Sequence, residues 1–467
     1  GSATMLRWLL IFGLAMALAD EAVAETQVTT DSLRLTFDDS GQLKAAIACF
    51  PACVGDGARI QQFGDDGIIG FKGGGSERWD RSENHTETHY ELTFSQGNAK
   101  ATWRIPVRGY RLELEQAGLS GVTLVSGESF RPREAAGFGN WLEQSRYVVI
   151  HEGGALQLGL EETDVEEQAA DQWVGYRNRY WTLMAGAPVV VTARLNTAEG
   201  NQDARLDLTG ATAWSFYLGP IEPRQLAAAD PALDKLLYAG LWFWLRWICF
   251  ALFHLLAGIQ TVIPAWGLAI MVLSLAVNLL MTPLSRIAER FQQDVNETEA
   301  RLAPELARIK KNFKGEEQSA KILALYKIER VHPLYSLKSL MGVAVVIPVF
   351  IGAFDMLAEN IHLLNTGFLW ISDLSRPDDL FRLPFTLPFF GNELNLLPFL
   401  MTGLSVVASA LHNPLALNAE LRKKQVRNML LLAVAFFVLF YTFPAGMVLY
   451  WTTNNLISVI KSLWARR

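Results

Sequence analysis

Charge is sparse in this sequence, and neither sign gathers into a field. Asp, Glu, Lys and Arg make up 19% of the residues and the formal net charge is -6, so the basic footprint that a nucleic-acid partner demands is missing. Three cysteines permit one disulfide at most. A strand-turn-helix motif, paired catalytic carboxylates, a nucleophile elbow and a metal-ligand cluster are absent as well, so the sequence predicts no enzyme, no cofactor and no metal. His85 and His89 stand four apart in "NHTETHYEL", a spacing that suits a metal on a helix. Their neighbours alternate as in a strand, which makes them two exposed histidines instead.

Apolar residues, by contrast, are abundant. The chain is 51% hydrophobic with a positive mean hydropathy, too apolar for an ordinary soluble protein. Residues 25–230 read as soluble, while 237–464 carry repeated apolar runs. Gly1 to Thr4, ahead of Met5, read as an expression remnant. Arg7, the apolar run Leu9 to Ala19 and Ala22-Val23-Ala24 have the layout of a secretory signal peptide, with an uncleaved membrane anchor as the alternative. Either way residue 25 onward is exported, where disulfides are chemically permitted. Cys49 and Cys53 flank Phe-Pro-Ala, and Pro51 favours a turn between them; a disulfide and two free thiols both fit. Cys249 lies in an apolar run and reads as packing.

Over 25–230, "VTTDSLRLTFDD", "HYELTFS", "ATWRIPV", "YRLELEQ", "RYVVIHE" and "PVVVTARL" alternate apolar and polar residues between Gly, Asn, Asp or Pro. Short strands with turn punctuation predict an antiparallel β-sandwich. Over 231–264 the aromatic-rich "LLYAGLWFWLRWICFALFHLLAG" contains Arg246 and His254, which suits an interfacial amphipathic helix; a spanning helix is the competing reading. Clearer spans are Trp266 to Leu284, Leu340 to His362, Leu396 to Leu411, Met429 to Thr442 and Gly446 to Leu463. Pro444 and Gly446 should fold the last stretch into two antiparallel spans. Residues 286–338, with apolar positions at helical spacing interrupted by Lys314-Gly315-Glu316, predict a charged helical hairpin. Arg286 and Arg290, then Arg422, Lys423, Lys424 and Arg427, then Lys461, Arg466 and Arg467 fall on one side if the spans alternate. That side is the cytoplasm, which puts the sandwich outside.

"FPAGMVLYWTTNN" at 443–455 resembles the final-hairpin motif of the YidC-type membrane-protein insertases. "MTPL" at 281–284, "KNFKG" at 311–315, "ALYKIERVHPL" at 324–334, "IPVF" at 347–350 and "FLWISDLS" at 368–375 follow in that family's order, and "TTDSLRLTF", "FYLGPIEP" and "GLWFWL" extend the likeness into the exported part. The resemblance implies a multidomain α and β membrane protein. A periplasmic antiparallel β-sandwich is followed by a five-helix transmembrane insertase core, residues 265–467, with a cytoplasmic helical hairpin. It implies a bacterial inner-membrane protein whose hydrophilic groove opens to the cytoplasm and to lipid. Nascent membrane-protein clients enter that groove and leave sideways into the bilayer without a cofactor. A Sec translocon or a ribosome are further partners left open.

Such a groove has a physical rationale: a polar segment crossing hydrocarbon costs several kcal/mol per unsatisfied group, and hydroxyls and amides shorten the dry path. Suitable lining groups are Ser274, Asn278 and Thr282, one face of one helix at spacing four, with Thr402 and Ser405 on the third span and Thr452, Thr453, Asn454 and Asn455 on the last. Helical spacing lets about two of those last four face one groove. The competing use of such residues is interhelical hydrogen bonding. Where the family usually carries a groove arginine, this chain has Asn278, with Arg286 two turns further as a partial substitute at the groove mouth. A second functional reading is a non-catalytic accessory subunit, or a lipid- or glycan-handling protein, reusing the scaffold.

Overall fold

Alternation of apolar and polar side chains builds the first half of the chain, and apolar runs build the second. The computed structural model describes residues 25–464 apart from 56, 65–66, 74–78, 132, 161–165, 198–203, 336 and 412–418; the signal-like region and Arg466 and Arg467 lie outside the described residues. Two compact units divide the chain. One comprises residues up to Arg133 with Gln144–Ala239, and the other comprises Glu134–Glu143 with Gly240 onward.

In the first unit the described residues form two nine-stranded antiparallel sheets. One runs from an edge strand at Thr26–Thr29 to another at Glu166–Ala170, the other from Gly154–Gly159 to Asp80–His85. In the strand Ala99–Pro106, Ala101, Trp103 and Ile105 are buried while Lys100 and Arg104 are exposed, the period of two that the sequence displays. Trp103 has no exposed surface and lies 5.4 Å from Phe37 of the opposite sheet, so the two inner faces meet through aromatic rings. Its indole N–H donates to the Gly41 carbonyl at 2.8 Å, which removes the cost of burying that donor. Cys49 and Cys53 are joined by a disulfide. His85 ends one strand and His89 begins the next, and the His85 ring stacks 4.3 Å from Tyr90. A short helix α1 (Pro223–Ala229) follows, capped by Glu222, which accepts from the Gln225 backbone N–H at 2.9 Å.

The second unit is helical: α2 (Phe243–Val262), α3 (Trp266–Asn312), α4 (Gly315–Ile328), α5 (Leu337–Ala358), α6 (Leu396–Leu411), α7 (Ala419–Phe440) and α8 (Ala445–Trp464). By length and composition α2 and α3 are apolar enough to cross a membrane; Val346–Ala358, Leu396–Leu411 and Val426–Phe440 are shorter apolar helical stretches. On α2, Leu245, Cys249, Leu252 and Leu256 form a buried stripe at steps of three and four, while Trp242, Phe243 and Trp247 are left exposed.

Three features differ from the sequence reading. Helix α3 does not stop near Leu284 but runs 47 residues through Pro283 and Pro304, so one helix carries both the first apolar span and an arm of the charged hairpin. Its partner arm is α4, and Arg301 on α3 lies 3.6 Å from Glu329 just past α4. Next, α5 ends at Ala358, four residues short of His362, and a 3-10 turn at Ile361–Leu363 follows. Finally, Phe381–Leu387 and Gly391–Leu394 pair as a two-stranded hairpin that leaves Phe381, Phe385 and Phe389 exposed.

One end of the bundle is closed by hydrogen bonds. Asp378 Oδ2 accepts from the Leu396 and Leu397 backbone N–H groups at 2.8 and 3.0 Å and from Trp370 Nε1 at 3.1 Å, which caps α6. Asp373 Oδ1 accepts from Asn365 N, Ser375 N and Ser375 Oγ. At the α7–α8 reversal, where Pro444 breaks the helix, the Ala445 and Gly446 N–H groups donate to the Arg376 and Leu374 carbonyls. Asn395 Nδ2 donates to the Tyr441 carbonyl at 2.8 Å. Within the same unit, the Gly139 N–H donates to Thr442 Oγ1 at 3.1 Å. Trp266, the first residue of α3, stacks 5.0 Å from His362 at this end.

Candidate functional site

Twelve residues beyond Trp266, about 18 Å along the helix, α3 reaches Asn278. There a hollow of about 230 Å³ opens between three helices. Its lining is Val277, Asn278, Met281 and Ser285 of α3, Val346, Val349 and Phe350 of α5, and Tyr450, Trp451, Asn454 and Ser458 of α8. The walls are largely apolar, with Phe350 stacked 4.2 Å from Trp451, and the polar groups come from α3 and α8. That mixture fits a guest that is apolar along most of its length and polar at a few points.

Asn278 is the hub. Its Nδ2 donates to Asn454 Oδ1 across the helix pair and to the Ser274 carbonyl at 3.3 Å on its own helix. Its Oδ1 accepts from Lys461 Nζ at 3.2 Å. Both N–H donors and one of the two acceptor lone pairs of this amide are engaged, so its orientation is fixed.

The other sequence-picked residues separate into distinct uses. Thr282 Oγ1 donates to the Asn278 carbonyl at 2.8 Å, Thr452 Oγ1 to Val448 O at 2.7 Å and Thr453 Oγ1 to Leu449 O at 2.8 Å, each back to its own helix. Thr452 and Thr453 are buried in helix packing, and of the four consecutive residues only Asn454 lines the hollow. Asn455 Nδ2 donates to the Met401 carbonyl at 2.9 Å and so ties α8 to α6. Ser274 Oγ and Thr402 Oγ1 are buried without a partner. Thr402 and Ser405, one turn apart on α6, are not in the lining, and neither is Arg286, which is exposed on α3. The sequence reading missed Ser285, Ser458 and Lys461 as neighbours of this site. Asn454, Ser458 and Lys461 recur at i, i+4 and i+7, a helical face that periodicity alone displays.

Comparison with known proteins bears on this arrangement. The profile of the family described as "60Kd inner membrane protein" matches residues 258–467. A "Membrane protein insertase YidC" of Janthinobacterium sp. (strain Marseille) is 32% identical over 249 residues, 53% of this chain and 41% of that protein. Another, of Marinomonas sp. (strain MWYL1), is 30% identical over 333 residues, 68% of this chain and 54% of that protein. Residues 258–467 belong to the YidC-type family. The chain's matches span about half the length of these YidC relatives. A solved structure described as "Active YidC insertase crystal structure with the first transmembrane domain resolved" aligns over 98% of this chain and 99% of its own at 17% identity and a TM-score of 0.38, too loose a superposition to bear on the site. The family match covers all three helices that form the hollow.

Proposed function

We propose that the protein is a membrane-protein insertase and chaperone of the bacterial inner membrane. It admits hydrophobic client segments to the hollow between α3, α5 and α8 and releases them sideways into the bilayer. In this reading α3, α5, α6, α7 and α8 are the five spans, α2 lies at the interface, and the α3–α4 hairpin is cytoplasmic with the basic residues that flank the spans. The β-sandwich is then periplasmic. The partners are nascent membrane-protein clients and the lipid bilayer.

One observation carries the reading: amides and hydroxyls of α3 and α8 sit beside aromatic and aliphatic walls in one hollow, on a helix, α3, that is apolar enough to cross a membrane. A polar flank of a client that meets Asn278, Asn454, Ser285 and Ser458 exchanges water for protein hydrogen bonds, which lowers a desolvation cost of several kcal/mol per group. The apolar walls match the client's spanning segment, so entry and lateral release are both near neutral. Such a function needs shape and polarity only, with no reacting atoms.

Photo-crosslinking tests it. A photoreactive amino acid replacing Ser285, in living cells, is expected to capture a nascent one- or two-span protein, and depletion of the protein is expected to lower that client's insertion. Capture of lipid alone or of a stoichiometric resident subunit overturns the reading.

A further inference from the structure

The hairpin of Phe381–Leu387 and Gly391–Leu394, between α5 and α6, is apolar where a water-facing connection would be polar. The stretch "LFRLPFTLPFF" at 380–390 holds one charged residue, and Phe381, Phe385 and Phe389 are 52%, 58% and 44% exposed. Single exposed apolar side chains are ordinary on any surface. These continue into a neighbour: the Phe389 ring meets Phe138 at 5.0 Å, and Phe138 and Trp141, both of the turn Gly137–Trp141, are exposed as well. A contiguous apolar rim of this kind marks an interaction surface.

Contacts at both ends hold the hairpin along the closed end of the bundle. At its base Tyr441 Oη donates to the Glu393 carbonyl at 3.0 Å, and near its tip Phe390 lies 5.1 Å from the Tyr441 ring. Arg382 is taken up by Asp379 at 3.2 Å and Glu393 at 3.7 Å, so its charge is matched within the hairpin. Addition of a further strand is blocked, because Pro384 has no N–H to offer and the register shifts between Arg382 and Leu387. Helix length identifies the remaining occupant. With 16 residues α6 spans about 24 Å, against the ~30 Å hydrocarbon core of a bilayer. Only Asn395 separates the hairpin from α6, so its phenylalanines extend the exposed apolar surface of Phe399 and Leu400 beyond the helix's first turn.

We propose that this rim is a bilayer-docking surface. Phe381, Phe385 and Phe389, with Phe138 and Trp141, sit at the boundary between headgroups and acyl chains in the leaflet at the closed end, and the contact is made through acyl chains rather than headgroup charge. The proposal rests on the span assignment above and adds a lipid contact outside the spans. It sets the depth at which the short helix α6 rides in the membrane.

The test uses the full chain reconstituted in phosphatidylethanolamine–phosphatidylglycerol vesicles. A nitrobenzoxadiazole fluorophore is placed on one added cysteine: Phe385→Cys, Leu431→Cys on the exposed side of α7, or Gly153→Cys in the sandwich. Cys249 is buried and Cys49 is joined to Cys53, so the added thiol is the one that reacts. Vesicle lipids carry a quencher on the headgroup, high on the acyl chain or at the chain's end. The Phe385 label is expected to be quenched about two-fold more by the high acyl position than by the other two, the depth of an interfacial segment. The Leu431 label is quenched by the acyl-chain lipids, and the Gly153 label by aqueous iodide alone. Exchange of phosphatidylglycerol for phosphatidylcholine leaves the Phe385 result unchanged; loss of quenching on that exchange overturns the proposal in favour of headgroup charge. Iodide quenching at Phe385 with lipid quenching at Leu431 overturns it while leaving the spans intact. A Phe385 label shielded from lipid and iodide alike also overturns it, and means that protein covers the rim. Absence of lipid quenching at Leu431 overturns the span assignment as well.

Discussion

Asn454 and Asn455 are consecutive, yet they serve different helices: Asn454 accepts from Asn278 of α3 beside the hollow, and Asn455 donates to the Met401 carbonyl of α6 at 2.9 Å. The 100° step between neighbours on a helix makes this division unavoidable. Replacing Asn455 with Leu removes one interhelical bond worth about 1 kcal/mol. The expected result is a thermal midpoint in detergent about 2–4 °C lower. An unchanged midpoint means that α8 is held by packing alone.

Asp378 joins a helix cap to an indole. Asp378→Ala orphans the Leu396 and Leu397 N–H groups and Trp370 Nε1 together, and the expected loss is about 3 kcal/mol. Asp378→Asn retains an oxygen that can accept and costs less. Thermal unfolding of the two variants side by side checks the order; equal losses would show that the carboxylate's hydrogen bonds are not what matters.

Gly139 has no room for a side chain. A Cβ there would lie 2.4 Å from the Thr442 carbonyl oxygen, a backbone atom that cannot swing aside. Gly139→Ala is expected to cost about 2 kcal/mol through forced displacement. Gly153→Ala, which meets nothing within 4 Å, serves as the control with no change. Matching midpoints for both variants would refute the close approach.

Burial pushes the Tyr110 phenol up from its ordinary value of 10 to about 12, with Glu222 adding to the rise and a hydrogen bond to Ser32 opposing it. Its hydroxyl donates to the Cys49 carbonyl at 2.6 Å, a bond that only the neutral form makes. The folded state holds this proton more tightly than the unfolded chain, so the contribution is complete below pH 10 and is lost as pH climbs toward about 12. Urea midpoints measured across that window should fall more steeply for the wild-type protein than for Tyr110→Phe. Parallel curves would remove Tyr110 as the cause.

Local pattern was enough for much of the architecture. The alternation in "HYELTFS" becomes the strand His89–Gln96, and the break at Pro444 separates α7 from α8. Signals that depend on remote partners were not legible. Thr452 and Thr453 look like groove residues by type, but a threonine hydroxyl in a helix can satisfy itself on the carbonyl four residues back, and both do. Pro384 and Pro388 mask the hairpin at 381–394, since proline argues against a strand and its apolar face is not turned inward. Glu134–Glu143 groups with the helical unit through contacts some 300 residues distant in sequence, which no window reveals. Lys461 was read as a topological charge because its contact with Asn278 exists only once α3 and α8 are side by side.

Helix α3 is a lever as well as a wall. At 1.5 Å per residue its 47 residues form a rod of about 70 Å, with the closed end of the bundle as its fixed point and the charged hairpin as its long arm. Pro283, just over one turn past Asn278, has no backbone N–H to donate within that rod. The wall of the hollow and the arm of the hairpin are therefore one continuous element, with no loop between them to absorb a displacement.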